Sequence, residues 1–222
     1  METASDACSV ALWVDDGCLE RHVIAPRQHA ELVLSMVREL LDEAGLALTG
    51  LDALAFGRGP GSFTGLRVAA GVTQGLAYGA NLPVVPVSSL QALAQGALRE
   101  SASPRVLAAF DARLGEVYWG AYQDDGDGMM TVHTEDLAVT PEAVPVPEQS
   151  GWLGAGEGWR AYPEVLAARI GGNLRATEPD RMVRALDVAT LAKAAHARGD
   201  SVTAEGALPV YVRNKVARKR GE

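Results

Sequence analysis

The chain has 222 residues, with 20 Lys plus Arg against 28 Asp plus Glu, a formal charge of -8 and 48% hydrophobic residues. Such an acidic balance supplies no global field for polyphosphate and argues against a free-standing, sequence-reading DNA or RNA binder, while the length is ample for an apolar core and excludes a disordered chain. Cys8 and Cys18 lack a C-x-x-C partner, no apolar run reaches a membrane span, and METASDACS has neither the basic start nor the apolar stretch of a signal peptide. The expectation is a cytoplasmic protein without a disulfide framework or zinc site.

In chain order, Cys8 to Val14 reads as a strand, Asp15-Asp16-Gly17 as a turn and Cys18 to Ala25 as the return strand of a hairpin. From Gln28, Leu32, Val33, Met36, Val37, Leu40 and Leu41 form one stripe of a helix ended by Gly45. Leu51 to Phe56 reads as a buried strand, Gly57 to Gly65 as a glycine-rich loop, and the following segment as a helix stopping near Asn81. PVVPV is a short strand and Ser88 to Arg99 a helix. After a linker-like Ser101 to Arg105 come strands VLAAFDA, EVYWGAY and Thr131 to Val139, an unassigned Pro/Gly-rich stretch from Pro141 to Gly158, and helices near Ala161 to Ile170 and Leu186 to Arg198. A strand-like patch and a basic tail close the chain. Arg213 to Glu222 holds five basic residues against one acidic, a local +4 that leaves -12 for the rest.

Alternating strands and helices predict a mixed or parallel sheet with helices against it. The order strand, hairpin, strand, then helices occurs in both halves. In each, an acidic residue (Glu2, Asp111) precedes a short turn and an alternating strand centred seven residues on (Ser9, Tyr118). This suggests a duplicated unit, with lobes at 1–100 and 101–205 and a C-terminal strand and tail at 206–222.

The loop from Gly57 to Gly65 opens a helix, where unpaired amides and the dipole favour an anion. Its spacing is no known phosphate signature. Ser62 stands where G-x-G-x-x-G needs its third glycine, no Gly-Lys-Ser/Thr follows, and G-x-S-x-G fails at Pro60 and Thr64. Ser62 and Thr64 therefore read as helix caps rather than nucleophiles. Gly71, Gly75 and Gly79, spaced by four, cost about 1 kcal/mol each in a helix interior and predict close packing of another backbone, within the lobe or across a subunit boundary. His22, His29, His133 and His196 are scattered without metal-ligand spacing. Trp13 and Trp119 read as core.

Taken together, GRGPGSFTGLRVAAGVTQGLAYGANLPVVPVSSLQALA from Gly57 to Ala94, DARLGEVYWGAY from Asp111 to Tyr122 and PVYVRNKVA from Pro209 to Ala217 resemble the TsaB (YeaZ) family. The resemblance implies an α/β, actin-like ATPase (ASKHA) fold of two RNase H-like lobes, with mixed sheets flanked by helices. It also implies membership of the bacterial machinery that places a threonylcarbamoyl group on the tRNA adenosine beside the anticodon. A member of this type is a non-catalytic scaffold that binds the paralogous catalytic subunit TsaD, which transfers the group from threonylcarbamoyl-AMP; a TsaE-type ATPase joins the pair and tRNA is met through the complex. By the same resemblance, the first two helices form the dimer surface, in a heterodimer or a homodimer. This assigns His29, Leu32, Val33, Met36, Leu40, Arg67, Val68, Gly71, Val72, Gly75 and Gly79 to the partner interface and moves the glycine stripe from inside the lobe to between subunits. The chain itself builds no cofactor; ATP or ADP and Mg2+ fall to the interface of the complex.

The competing reading is a small ATP-dependent phosphotransferase or ATPase of the actin-like class, with Glu2 or Asp111 holding Mg2+ and Gly59, Gly61 and Ser62 near the phosphates. One departure from the family pattern stands out. A short apolar strand ending in an acidic residue usually precedes Thr-Ser/Ala, whereas Met1 here directly precedes Glu2-Thr3-Ala4-Ser5. The first strand is therefore expected to be missing, through a start assigned a few codons late or a trimmed chain.

Overall fold

A computed structural model describes residues 1–15 and 17–213. The hairpin forms as β1 (Ala7–Val14) and β2 (Gly17–Ile24), antiparallel with Ser9 opposite His22. Helix α1 (His29–Ala44) follows and ends at Gly45, whose φ of 66° is the left-handed conformation that costs glycine no Cβ clash. β3 (Leu54–Gly59) runs parallel to β4 (Val84–Ser88), joined by α2 (Phe63–Ala80). The strand thus extends three residues into the glycine-rich segment. α3 (Ser89–Ser101) leads to the second sheet, in the order β7-β6-β5-β8-β9: β5 (Arg105–Arg113), β6 (Glu116–Asp124), β7 (Met130–Val139), β8 (Trp152–Ala155) and β9 (Leu174–Glu178). Between the last two strands lie α4 (Gly158–Ala161) and α5 (Pro163–Ile170); α6 (Ala185–Ala197) closes the helices.

Strand alternation sorts side chains into layers. In the first lobe Cys8, Val10 and Leu12 of β1 face α1, and Leu54, Phe56 and Val84 face α2. The opposite face of that sheet presents Ala55, Val85 and Val87 to a core shared with α3, α6 and, from the second sheet, Val106, Ala108 and Phe110. Leu107, Ala109, Val117 and Trp119 turn to the far side, against Trp159, Leu166 and Ile170 of α4 and α5. Helices α3 and α6 therefore form a middle layer between the two sheets, with α1 and α2 outside one and α4 and α5 outside the other. Arg99 of α3 grips the buried Asp187 of α6 through two bonds of 2.9 and 3.1 Å within this layer. Packing crosses the expected divisions at residues 100 and 205: α3 lies on the second sheet, while α6 and Val202, which bridges Val84, return to the first.

Two strands escape the sequence pattern. β8 has only four residues, all buried, inside the Pro/Gly-rich stretch, and β9 is a polar edge strand whose LRATE lacks alternation. The strand-like patch near Pro209 is an extended strap without strand pairing. Trp119 is fully buried, but Trp13 sits at a rim with Lys193 Nζ 4.7 Å from its ring centroid.

Among the described residues, β1–β2 and β3–β4 are two separate strand pairs. Only Met1 to Thr3 lies between β1 and β3: Glu2 bridges Ser9 antiparallel with bonds of 2.8 and 3.0 Å, the Met1 amine donates to Ala55 O at 2.8 Å, and Gly57 N–H donates to Met1 O at 3.0 Å. Three residues thus hold together two strand pairs, where the nine residues of β5 join the second sheet.

Candidate functional site

Helix α2 begins at Ser62, whose hydroxyl accepts from Gly65 N–H, the cap role expected of it. Thr64 sits within the first turn. Part of the glycine-rich segment is bonded to the N-terminal residues. Ser62 N–H donates to Ala4 O at 2.7 Å, and Thr3 Oγ1 donates to Gly65 O at 2.8 Å. Gly61 has no room for a side chain, because a Cβ there would stand 2.6 Å from Ala4. The loop is folded onto the N-terminal segment.

Glu2 is spent in the same way. Its carboxylate accepts from Ala4 N–H at 2.6 Å and from Ser89 Oγ at 2.8 Å inside the protein, and burial pushes its pKa up. Asp111 stands apart from it, at a cleft of about 450 Å3 between the lobes that also touches Asp6, Gly61, Ser62 and Glu157. Its carboxylate meets Arg113 at 2.8 Å. Burial raises the Glu157 pKa; Arg113 opposes this and Asp111 and Asp6 reinforce it. Three carboxylates repel polyphosphate unless a cation accompanies it, and the Gly57 and Ser62 amides of the loop are already bonded to Met1 O and Ala4 O. Among the described residues no three His, Cys, Asp or Glu side chains gather to hold a metal ion.

The strap from Leu208 to Arg213 crosses this cleft. Val210 N–H donates to Arg58 O at 2.8 Å on the first lobe, and Tyr211 stacks on Phe63 with ring centroids 5.7 Å apart. Arg213 binds Glu116 at 2.7 Å and the carbonyls of Ala112 and Arg113 at 2.9 and 3.1 Å on the second lobe. Arg213, expected in the basic tail, is thus an inter-lobe tie; Lys215, Arg218, Lys219 and Arg220 lie outside the described residues.

On the outer face of the first lobe, the residues assigned to a partner interface divide. His29 is buried, and the buried Val33, Met36 and Leu40 hold α1 onto β1. Leu32, Val68 and Val72 are half-buried along the seam between α1 and α2. Arg67, Gly71, Gly75 and Gly79 are exposed, and a Cβ built on any of the three glycines meets nothing within 4 Å. The stripe packs against no part of this chain among the described residues. Arg67 lies over the Phe63 ring at 3.8 Å and donates to the Tyr211 hydroxyl at 3.2 Å. Two exposed apolar residues on these helices were passed over by periodicity, Leu34 of α1 (51% exposed) and Tyr78 of α2 (76%). Their signal was an apolar side chain on the polar side of an amphipathic helix.

The geometry agrees with known proteins. The family model described as TsaD: tRNA N6-adenosine threonylcarbamoyltransferase matches residues 23–197. The tRNA threonylcarbamoyladenosine biosynthesis protein TsaB of Escherichia coli (strain K12) is 45% identical over 99% of this chain and 96% of its own length. The protein of the same name from Haemophilus influenzae is 36% identical over 99% and 94%. The solved structure of YeaZ from Pseudomonas aeruginosa, 48% identical, covers 95% of this chain and 96% of its own with a TM-score of 0.89. A parallel and antiparallel sheet duplicated about shared helices, joined to this likeness along the whole chain, places the protein in the TsaB (YeaZ) family, with its actin-like fold.

Proposed function

We propose that this chain is the non-catalytic, partner-binding subunit of the machinery that forms threonylcarbamoyladenosine in tRNA. It docks the paralogous catalytic subunit TsaD against the exposed side of α1 and α2. The observation that carries this reading is full-length likeness to proteins named for that pathway, on a chain that spends Glu2 on Ala4 and Ser89 and the Gly57 and Ser62 amides on the N-terminal segment. The glycine stripe supplies the physical motive. Three glycines cost α2 about 3 kcal/mol relative to alanine, a cost that no contact among the described residues offsets but that a closely approaching partner backbone would.

In this reading Gly71, Gly75 and Gly79 form the floor of the contact and Arg67, Leu34 and Tyr78 its borders, while the buried residues of α1 fix the helix from behind. The same face serves a homodimer when the paralogue is absent. A TsaE-type ATPase joins the pair, ATP or ADP and Mg2+ belong to the interface of the complex, and the acidic body leaves tRNA contact to the partners and the basic tail. Reconstituted transfer from threonylcarbamoyl-AMP to tRNA tests this. Transfer is expected only when TsaD and this chain are both present, with none from this chain alone; full transfer by TsaD without it would overturn the reading.

A further inference from the structure

The face assigned to the partner does not end at its last glycine. Side chains four apart on a helix form the rows along which a second helix packs, and the row that holds Gly79, Gly75 and Gly71 continues through Arg67 to Phe63 at the start of α2. There the row meets the strap. Tyr211 stacks on Phe63 with ring centroids 5.7 Å apart, and Arg67 lies 3.8 Å over that ring while its Nε donates to the Tyr211 hydroxyl at 3.2 Å. Both rings remain open to solvent on one side, Phe63 at 48% exposure and Tyr211 at 47%. Two residues further on, Arg213 reaches the second lobe and binds Glu116 and the carbonyls of Ala112 and Arg113. Those carbonyls belong to the tip of the β5–β6 hairpin, where Arg113 and Leu114 have φ of 62° and 55°. Left-handed backbone is unfavourable for side chains of this size and persists where surrounding contacts hold it. Arg213 supplies such contacts, so one short strap joins the outer face of the first lobe to a strained turn of the second.

We propose that Phe63, Arg67 and Tyr211 form one end of the docking surface, and that a partner helix laid along the glycine row clamps the strap and thereby fixes the second lobe. This rests on the docking reading above and adds the route by which docking reaches past α2. The occupant it calls for is a helix that comes close at Gly71, Gly75 and Gly79 and carries an apolar side chain at its end, to cover the open sides of the two rings. Covering them excludes water from the bond between Arg67 and Tyr211, which strengthens as the local dielectric falls. The partner therefore binds the strapped form better than the released one. A ligand with that preference shifts the strap toward attachment, and by reciprocity an attached strap raises the partner's affinity. Arg213 is then a positioning residue: its bonds all go to the second lobe, yet its loss lowers affinity at a face on the first.

Hydrogen exchange and binding titrations with purified TsaD test this on the full chain. With TsaD saturating, the amides of Val210 on the strap and of Arg113 and Glu116 at the hairpin tip are expected to exchange about tenfold slower or more, with α5, on the outer side of the second sheet, unchanged. Arg213→Ala should weaken TsaD binding about fivefold or more and abolish the slowing at the tip. Tyr211→Phe keeps the ring but loses the hydroxyl that Arg67 bonds, and should weaken binding about threefold. Thermal unfolding of each variant alone shows whether it folds, and Tyr211→Phe decides the matter where Arg213→Ala does not. Unaltered exchange at the tip with TsaD bound, affinity equal to the parent's in either folded variant, or slowing at the tip that survives Arg213→Ala would each overturn the coupling and leave the docking reading standing. No binding of TsaD by the parent chain, or undiminished binding by Gly75→Leu, would instead overturn the docking reading and this inference with it.

Discussion

The second lobe encloses its central strand and the first does not. In β5, Val106, Leu107, Ala108 and Ala109 have no exposure, and each face of the strand meets its own layer of helices. The first lobe keeps β1–β2 and β3–β4 as separate pairs, held together by the backbone of Met1 to Thr3 and by the helices laid across them. Sheet continuity is therefore not what gives this lobe its shape. The shared layer of α3 and α6 and the seam of α1 and α2 position its strands, and the outer face of that seam is the surface assigned to the partner.

Matched substitutions in the two sheets should expose this contrast. Leu107→Ala in β5 opens a new cavity in a closed core and is expected to cost about 4 kcal/mol, whereas Leu12→Ala, which already lines a cavity of about 560 Å3 in the first lobe, should cost about 2 kcal/mol; urea titrations of both decide it. Equal losses would mean that the first lobe is as tightly closed as the second. Next in size, Gly65→Ala drives a methyl into the Thr3 carbonyl oxygen that pins the N-terminal segment. It should cost about 3 kcal/mol and raise exchange in β1 and β3 before β5 and β6.

A smaller effect comes from the Met1 amine. Burial lowers its pKa from 8.0 to about 6, against the attraction of Glu2, Cys8, Glu20 and Cys18. Between those two values the unfolded chain binds the proton and the folded chain does not, so stability rises with pH across this window, by about 3 kcal/mol, and is flat above it. Acetylating the amine should remove that rise. A difference between acetylated and free chains that stays constant from pH 6 to pH 8 would contradict the burial of this group.

Much of the fold was legible because its elements carry strong local patterns. α1 has its stripe and its terminal glycine, α2 and α3 have serine caps, and β1, β5 and β6 read as strands. What stayed hidden depended on tertiary context. β8 is too short to show a period and β9 too polar, so both exist through pairing with a neighbour. The site was legible in composition but not in orientation. The spacing of Gly71, Gly75 and Gly79 puts them on one helix face, yet only the packed structure shows that this face is open and that Val33, Met36 and Leu40 turn inward. Glu2 and Asp111 match as a sequence repeat, but one is sealed behind Ser89 and the other opens to the cleft.

The central claim, that the glycine stripe of α2 exists for a partner, is tested most directly by Gly75→Leu. A Cβ there meets nothing within 4 Å among the described residues, and leucine replaces a poor helix former, so thermal unfolding should show a fold more stable by about 0.5 to 1 kcal/mol. Co-purification with TsaD, measured on the same sample, should be lost. A variant that gains stability and still binds TsaD as tightly as the parent chain would contradict the account.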